Sequence, residues 1–333
     1  MSSAPTHPRD ALFDADELGP DLPACDHYSG VESRMKKSLA LQAELGPVFD
    51  VTLDCEDGAP IGGEAEHAHM VAELTLSAAN RFGRVGARVH PVDHPSFADD
   101  VATVVGQAGG RLAYLMLPKP RDFDAVRTAC DEIDRQTRAH GLARAIPVHV
   151  LVETHGALRE VERIAAHPRI ESISFGLMDF VSAHRGAIPA AGMSAEGQFS
   201  HPLVLRAKLA IAAACHGHAK VPSHCVVTEF NDVEAIRNAA SRASRELGYT
   251  RMWSIHPNQI RPIVDAFAPT AAELEQAIEI VCAAQDAEWA PISHRHTLHD
   301  RASFRYFWQV LARAHRTGRQ LPAQVSNRFF FTA

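Results

Sequence analysis

IPVHVLVETHGALREVERIAAHPRIESISF, residues 146–175, holds two apolar, β-branched runs, Ile146 to Val152 and Ile170 to Phe175, on either side of a segment with helical spacing, Ala157 to Ala166. Each run is short enough for a parallel strand buried on both faces. Strand, helix and strand within about thirty residues is the span of one βα repeat. The same alternation continues outward in both directions. Runs at Val48 to Leu53, Val85 to Val89, Leu112 to Leu117, Val221 to Val227 and Met252 to Ile255 are separated by helical spacing at Glu64 to Ala79, Asp122 to His140, Leu203 to His216 and Asp232 to Leu247. Together with a weaker run at Ala24 to Tyr28, these predict an α/β protein built as an eight-unit (β/α)8 TIM barrel. A doubly wound sheet is the structural alternative. If it bound a dinucleotide it would carry a glycine-rich turn after its first strand, and neither GxGxxG nor GxxxxGK[ST] occurs.

The two ends differ from this repeat. Residues 1–23 are rich in Pro, Asp and Ser without periodicity and read as a loose N-terminal arm. The barrel domain is expected over 24–289, the long amphipathic helix Thr270 to Ala287 being different in kind and following the barrel repeats, and 290–333 reads as an appended C-terminal helical segment. That segment has a His- and Arg-rich tract from Ala290 to Asp300, then a helix from Arg301 to His315. Its Phe304, Tyr306, Phe307 and Trp308 need a partner surface, either the barrel wall or a neighbouring subunit.

Composition removes several functional classes. With 46% apolar and 22% charged residues the chain matches ordinary globular proteins, and no apolar run approaches the length of a membrane span. The 33 Lys and Arg against 40 Asp and Glu leave a net charge of −7, which argues against nucleic acid or an anionic membrane as the main partner. No secretory or transit pattern opens the sequence, so the cytoplasm is expected. The six cysteines show no two-residue spacing and read as reduced core residues. Histidine pairs at His67/His69, His216/His218 and His294/His296 read as solvated surface.

The informative polar residues stand where the apolar runs end. Asp54, Glu56 and Asp57 follow the first; Arg88 and His90 close the second; Lys119, Glu153 and Asp179 follow the next three. In a barrel these positions converge on the C-terminal rim, where active sites lie. Strand ends are also wet, and a single charge there often caps a helix or stays solvated. The mixture of carboxylates from different strands with one arginine and one lysine is what a hard divalent cation and an anionic substrate require. Glu153 and Asp179 suit magnesium, since two carboxylates leave coordination positions for water and substrate oxygens. Arg88 offers a planar fork for a carboxylate. Glu56 and Asp57 are assigned to orienting metal-bound water or Arg88, because successive residues point apart and cannot all ligate one ion.

At these residues the sequence resembles the citrate lyase β-subunit-like and malyl-CoA lyase branch of the HpcH/HpaI aldolase superfamily. The matching stretches are LDCEDGAP from Leu53, ARVHP from Ala87, LMLPKP from Leu115, LVETHGAL from Leu151, SFGLMDF from Ser174 and SIHPNQI from Ser254. The resemblance implies a (β/α)8 barrel, magnesium (with manganese as a substitute) on Glu153 and Asp179, and an oxo-acid carboxylate held by Arg88. It also implies a homotrimer or hexamer whose C-terminal segment can cover a neighbour's site and supply an acid–base aspartate. Asp300 falls where that aspartate is expected, although His294-Arg295-His296 replaces the glycine-containing sequence usually found before it. The family's first strand usually ends in Pro-Gly, and Cys25-Asp26-His27-Tyr28-Ser29-Gly30 stands there instead. Arg34 and Lys37 lie where basic residues could meet a CoA phosphate, or could equally form a solvated helix face.

The expected chemistry is cleavage, or formation, of a carbon–carbon bond in a β-hydroxy-acid CoA thioester such as malyl-, citramalyl- or citryl-CoA, giving an oxo-acid and an acyl-CoA. Arg88, Asp57 and Asp300 are the candidate catalytic residues; Arg88, Glu56, Lys119, Arg34 and Lys37 are the candidate binding residues. Three alternatives stay open: a metal-dependent aldolase acting on a free hydroxy-oxo-acid, a non-catalytic barrel that only binds or regulates, and, as the family's name suggests, a lyase subunit that needs acyl-carrier partners.

Overall fold

A computed structural model describes residues 6–14 and 17–330. Eight parallel strands close in chain order into a barrel: β1 Cys25–Ser29, β2 Phe49–Asp54, β3 Val85–Arg88, β4 Leu115–Leu117, β5 Val148–Val152, β6 Ile170–Phe175, β7 Val221–His224 and β8 Arg251–Ser254, with β8 pairing back onto β1. The weak run near Ala24 is therefore the first strand. Its weakness has a physical cause: Cys25-Asp26-His27-Tyr28-Ser29 is buried at every position yet carries three polar side chains and a tyrosine, so no apolar run marks it. Two of the helices between the strands begin where an aspartate side chain satisfies a first-turn N–H group. Asp122 accepts from Ala125 N at 2.9 Å to open Phe123–Ala139, and Asp232 accepts from Ala235 N at 2.9 Å to open Val233–Glu246.

Register alternates side chains between the interior and the helices. Tyr28, Met116, Leu151 and Trp253, from four different strands, form one buried cluster, so their side of each strand faces the barrel axis. Below them the interior is polar, unlike the branched apolar layers usual in this fold. Arg251, fully buried, is ion-paired with Asp50 at 2.7 Å and Asp26 at 3.2 Å. Thr52 and Tyr114 donate to Asp26 Oδ1 at 2.7 and 2.9 Å, and the Tyr114 ring stacks on His149 at 3.8 Å. The apolar letters that made the strands visible in the sequence sit mainly on the outward faces, against the helices.

The described residues form two compact units, one of them Pro20–Ala266 and the other drawn from 1–19 together with 267–333. The boundaries expected at 23 and 289 move accordingly. The eighth barrel helix is Pro257–Phe267, and Ala271–Asp286, which follows the barrel, belongs to the terminal unit. The N-terminal arm is not loose throughout. Pro8–Leu12 is a short helix whose Leu12 is buried among Ile280, Phe304, Trp308, Leu311 and Phe329. Phe304 and Trp308 thus find their partners in the core of their own unit, Phe307 packs against its edge, and Tyr306 stays exposed. Between the helices Ala271–Asp286 and Arg301–Arg316, the His- and Arg-rich tract folds as a hairpin of β9 Ile292–His294 and β10 Thr297–His299.

Candidate active site

Asp54 and Arg88 are register partners at the ends of β2 and β3, and they are joined by a two-point ion pair. Arg88 Nε donates to Asp54 Oδ1 at 2.7 Å and Nη2 to Oδ2. Backbone N–H groups of Glu56 and Gly58 complete the carboxylate at 2.9 and 2.8 Å. A Cβ at Gly58 would stand 2.3 Å from Asp54 Oδ2, so this loop closes over the carboxylate only with glycine there. The fork expected to be open for substrate is therefore partly engaged within the protein. Nη1 also lies 3.2 Å from Glu56 Oε2. One remaining N–H on each Nη is left to meet a ligand. Burial opposes the charge of Arg88, but Asp54 and then Glu56 outweigh it and hold the guanidinium above its ordinary range. Asp54, named in the sequence among the strand-end carboxylates but given no role there, is the group that fixes Arg88.

Lys119 crosses from β4 to the same acidic loop. Its Nζ lies 2.6 Å from Glu56 Oε1 and 2.5 Å from Asp57 Oδ2. Burial works against this ammonium, and Asp57 and Glu56 override it and raise its pKa. Glu56 thus bridges Arg88 and Lys119, while Asp57 is exposed at the rim with Lys119 as its partner. The orienting role expected of Glu56 has a geometric basis. Lys119, expected to face substrate, is committed to two carboxylates.

Glu153, the residue after β5, is 3% exposed. Lys119, in a left-handed backbone conformation (φ 49°), aims its N–H at Glu153 Oε1 at 2.9 Å. On the other side a Cβ at Gly176 would come within 2.2 Å of Glu153 Oε2, so the strand end of β6 cradles the carboxylate. Burial, and next the charge of Asp179, push the Glu153 carboxyl well above the usual range; the Lys119 N–H and the charges of Arg88 and Lys119 offset only part of this. Asp179 lies in the first turn of the helix Leu177–Ser182. A poorly solvated carboxylate, Glu153, whose charge the exposed Asp179 makes still less favourable, forms with Asp179 a donor set that a hard divalent cation would relieve. The residues present therefore fit magnesium. No group of three or more His, Cys, Asp or Glu poised for a metal occurs among the described residues, so such a cation would draw its other ligands from water or substrate.

Beside the Arg88–Asp54 pair opens a cavity of about 650 Å³, lined by these two, by Arg34 and Lys37 of the helix Glu32–Leu45, and by aromatic side chains; Glu153 and Asp179 are not among its lining residues. Arg34 and Lys37 are thus brought to the same space as Arg88. Tyr28 and Trp253 of its wall, both buried, meet with ring centres 4.4 Å apart at a tilt of 30°, with the Arg88 guanidinium 5.5 Å from the Tyr28 ring. Phe230 and His256 stack at 4.8 Å on its outer side. These four were not anticipated, because single aromatics after β7 and inside β1 and β8 look like core residues in a sequence. Asp300 belongs to the terminal unit, where Oδ1 accepts from Ala302 N at 3.1 Å and caps the helix Arg301–Arg316.

An eight-stranded parallel barrel whose C-terminal rim gathers a buried carboxylate, a second carboxylate, an arginine and a ligand-sized cavity defines a (β/α)8-barrel enzyme. The chain belongs to the HpcH/HpaI aldolase/citrate lyase family, which matches residues 39–257, and it is an enzyme of the lyase class. It is 31% identical over 253 residues to an L-malyl-CoA/beta-methylmalyl-CoA lyase of Cereibacter sphaeroides, covering 72% of this chain and 77% of that one. A malyl-CoA/beta-methylmalyl-CoA/citramalyl-CoA lyase of Chloroflexus aurantiacus is 28% identical over 278 residues, covering 76% of this chain and 77% of that one. Among solved structures, a citrate lyase from Burkholderia xenovorans shares 54% identity with a TM-score of 0.83, covering 97% of this chain and 100% of that one. The CitE protein of Mycobacterium tuberculosis, in complex with magnesium, acetoacetate and coenzyme A, shares the fold at a TM-score of 0.66 and 20% identity, covering 88% of this chain and 98% of that one.

Proposed function

We propose that this protein is a magnesium-dependent carbon–carbon lyase acting on a β-hydroxy-acid CoA thioester of the malyl, citramalyl or citryl type, releasing or consuming an oxo-acid. The observation that carries this reading is the buried Glu153 carboxylate, held by Lys119 N–H and within the electrostatic reach of Asp179 and Arg88. Relatives named as malyl-CoA and citramalyl-CoA lyases supply the substrate class. When bound between Glu153 and Asp179, magnesium would supply Lewis-acid polarisation of the oxygen that becomes the oxo-acid carbonyl.

The chain's own residues divide the remaining work. Arg88, fixed by Asp54, turns its remaining N–H groups to the carboxylate of the oxo-acid part. Glu56 holds Arg88 and Lys119 in place, and Asp57 keeps Lys119 at the rim. Arg34 and Lys37 on the cavity wall attract the phosphates of a CoA thioester, and the apolar sides of Phe230 and Trp253 exclude water from the acyl arm. The fragment that leaves as an enolate takes a proton from an acid, the role assigned to Asp300, and such assistance is worth about 10² to 10⁴ in rate.

Glu153→Gln tests the reading. Calorimetric magnesium affinity should fall at least tenfold, and magnesium-dependent release of an oxo-acid from a panel of CoA thioesters should be lost, while circular dichroism stays that of the parent. Unchanged magnesium affinity would remove Glu153 as a ligand. A parent protein that turns over free hydroxy-oxo-acids and no thioester would favour the aldolase alternative.

A further inference from the structure

At the other end of the strands lies a second cavity of about 390 Å³ that the lyase reading does not use. Its walls come from residues just before or at the start of strands: Arg84 before β3, Arg111 before β4, Arg144 before β5, and Glu171 at the start of β6. Three guanidiniums thus face one carboxylate. Glu171 is already engaged, 2.9 Å from His149 Nε2. Arg84 reaches Asp50 only at 4.0 Å, and neither Arg111 nor Arg144 is paired with a carboxylate among the described residues.

Each arginine is nevertheless held in place. Arg84 Nη2 donates to the Asp21 carbonyl at 3.1 Å, Arg111 Nη2 to the Asn80 carbonyl, and Arg144 Nη2 to the Leu112 carbonyl. One nitrogen of each side chain is spent on the neighbouring loop, and the other N–H groups remain for a ligand. Much of the side-chain ordering that a ligand would otherwise impose is thereby already in place. Gly110 lines the same space, and a Cβ there would meet nothing within 4 Å, so the wall is open beside Arg111. In a chain of net charge −7, this concentration of positive charge at the barrel's N-terminal end is local.

We infer that this cavity is a binding site for a small polyanion carrying three or more negative charges, separate from the lyase site at the C-terminal rim. Guanidinium forks suit phosphate or carboxylate oxygens in pairs, and three forks around one space suit a ligand with several such groups rather than a single one.

The test is calorimetric titration of the whole protein with inorganic tripolyphosphate, without metal and at low salt. One tripolyphosphate should bind per chain, at least tenfold more tightly than orthophosphate, with affinity falling as salt is raised. Arg111→Gln combined with Arg144→Gln should weaken it at least tenfold and leave lyase turnover unchanged, whereas Arg34→Gln with Lys37→Gln should leave tripolyphosphate binding intact. No binding by the parent, equal affinity for orthophosphate, or unchanged affinity in the Arg111/Arg144 variant would each overturn the inference. So would loss of binding in the Arg34/Lys37 variant, which would place the ligand at the opposite rim. Should the double variant fail to fold, Arg144→Gln alone, at an exposed position, must still weaken binding measurably.

Discussion

Arg88 shows how far a single residue can be read from sequence and where that reading stops. An arginine at a strand end of a barrel reads as an anion anchor, and the structure does place it on the cavity. What the sequence hides is that the neighbouring strand end, Asp54, takes one edge of the guanidinium, because strand pairing between β2 and β3 is invisible along the chain. The prediction changes as a result. Arg88→Lys keeps the charge but leaves Asp54, 2% exposed, without its fork. Removing a partner from a buried ion pair costs about 3–5 kcal/mol, and a lysine should recover part of that. Thermal unfolding should therefore show a clear loss of stability together with weakened oxo-acid binding. A variant with the parent's melting temperature would mean that the Arg88–Asp54 pair contributes little and that only the ligand-facing N–H groups matter.

At the scale of elements, β1 and the cap of Arg301–Arg316 make the strongest statements. His27 of β1 places Nδ1 2.9 Å from Ser254 Oγ, and that hydroxyl donates to His256 O at 2.9 Å, so Nδ1 is the donor to Ser254. Burial, only partly offset by Asp26, lowers its pKa to about 4 from an ordinary 6.5. A histidine with a lowered folded-state pKa contributes stability that is complete above the unfolded value and is lost as the pH falls toward the folded one. The window is thus pH 6.5 down to 4, and the loss across it is about 3 kcal/mol. Urea unfolding of His27→Gln should show a shallower decline than the parent over that window; parallel declines would assign the acid sensitivity to other groups. For Asp300, asparagine is as good a cap as aspartate, whereas alanine costs about 1 kcal/mol. Asp300→Asn should therefore keep its melting temperature while losing turnover about 10²-fold or more if the carboxyl moves a proton. Full activity in that variant would leave Asp300 as a cap alone.

For the whole molecule, the barrel was legible because its period is: apolar runs about thirty residues apart survive any detail of packing. Two things were not legible. The polar interior around Arg251 is spread over strands far apart in sequence, and its members look like stray charges until closure brings Asp26 and Asp50 to one guanidinium. The terminal unit is likewise assembled from both chain ends, and a segment as short as Pro8–Leu12 has too few residues to display a helical period. Its attachment is nonetheless specific. Leu12 is 1% exposed, its carbonyl accepts from Arg305 Nε at 2.6 Å, and Arg305 also meets Glu17 at 2.6 Å. Gln285 Nε2 donates to Thr6 O at 2.8 Å. Truncating a buried leucine costs about 2–5 kcal/mol, whereas exchange for methionine of similar volume costs less than about 1.5 kcal/mol. Leu12→Ala should therefore lower the melting temperature and expose the helix Arg301–Arg316 to limited proteolysis, and Leu12→Met should do neither to a comparable degree. If Leu12→Ala melts and resists protease as the parent does, the first residues are the loose arm that their composition suggests, and the core around Phe304 and Trp308 holds without them.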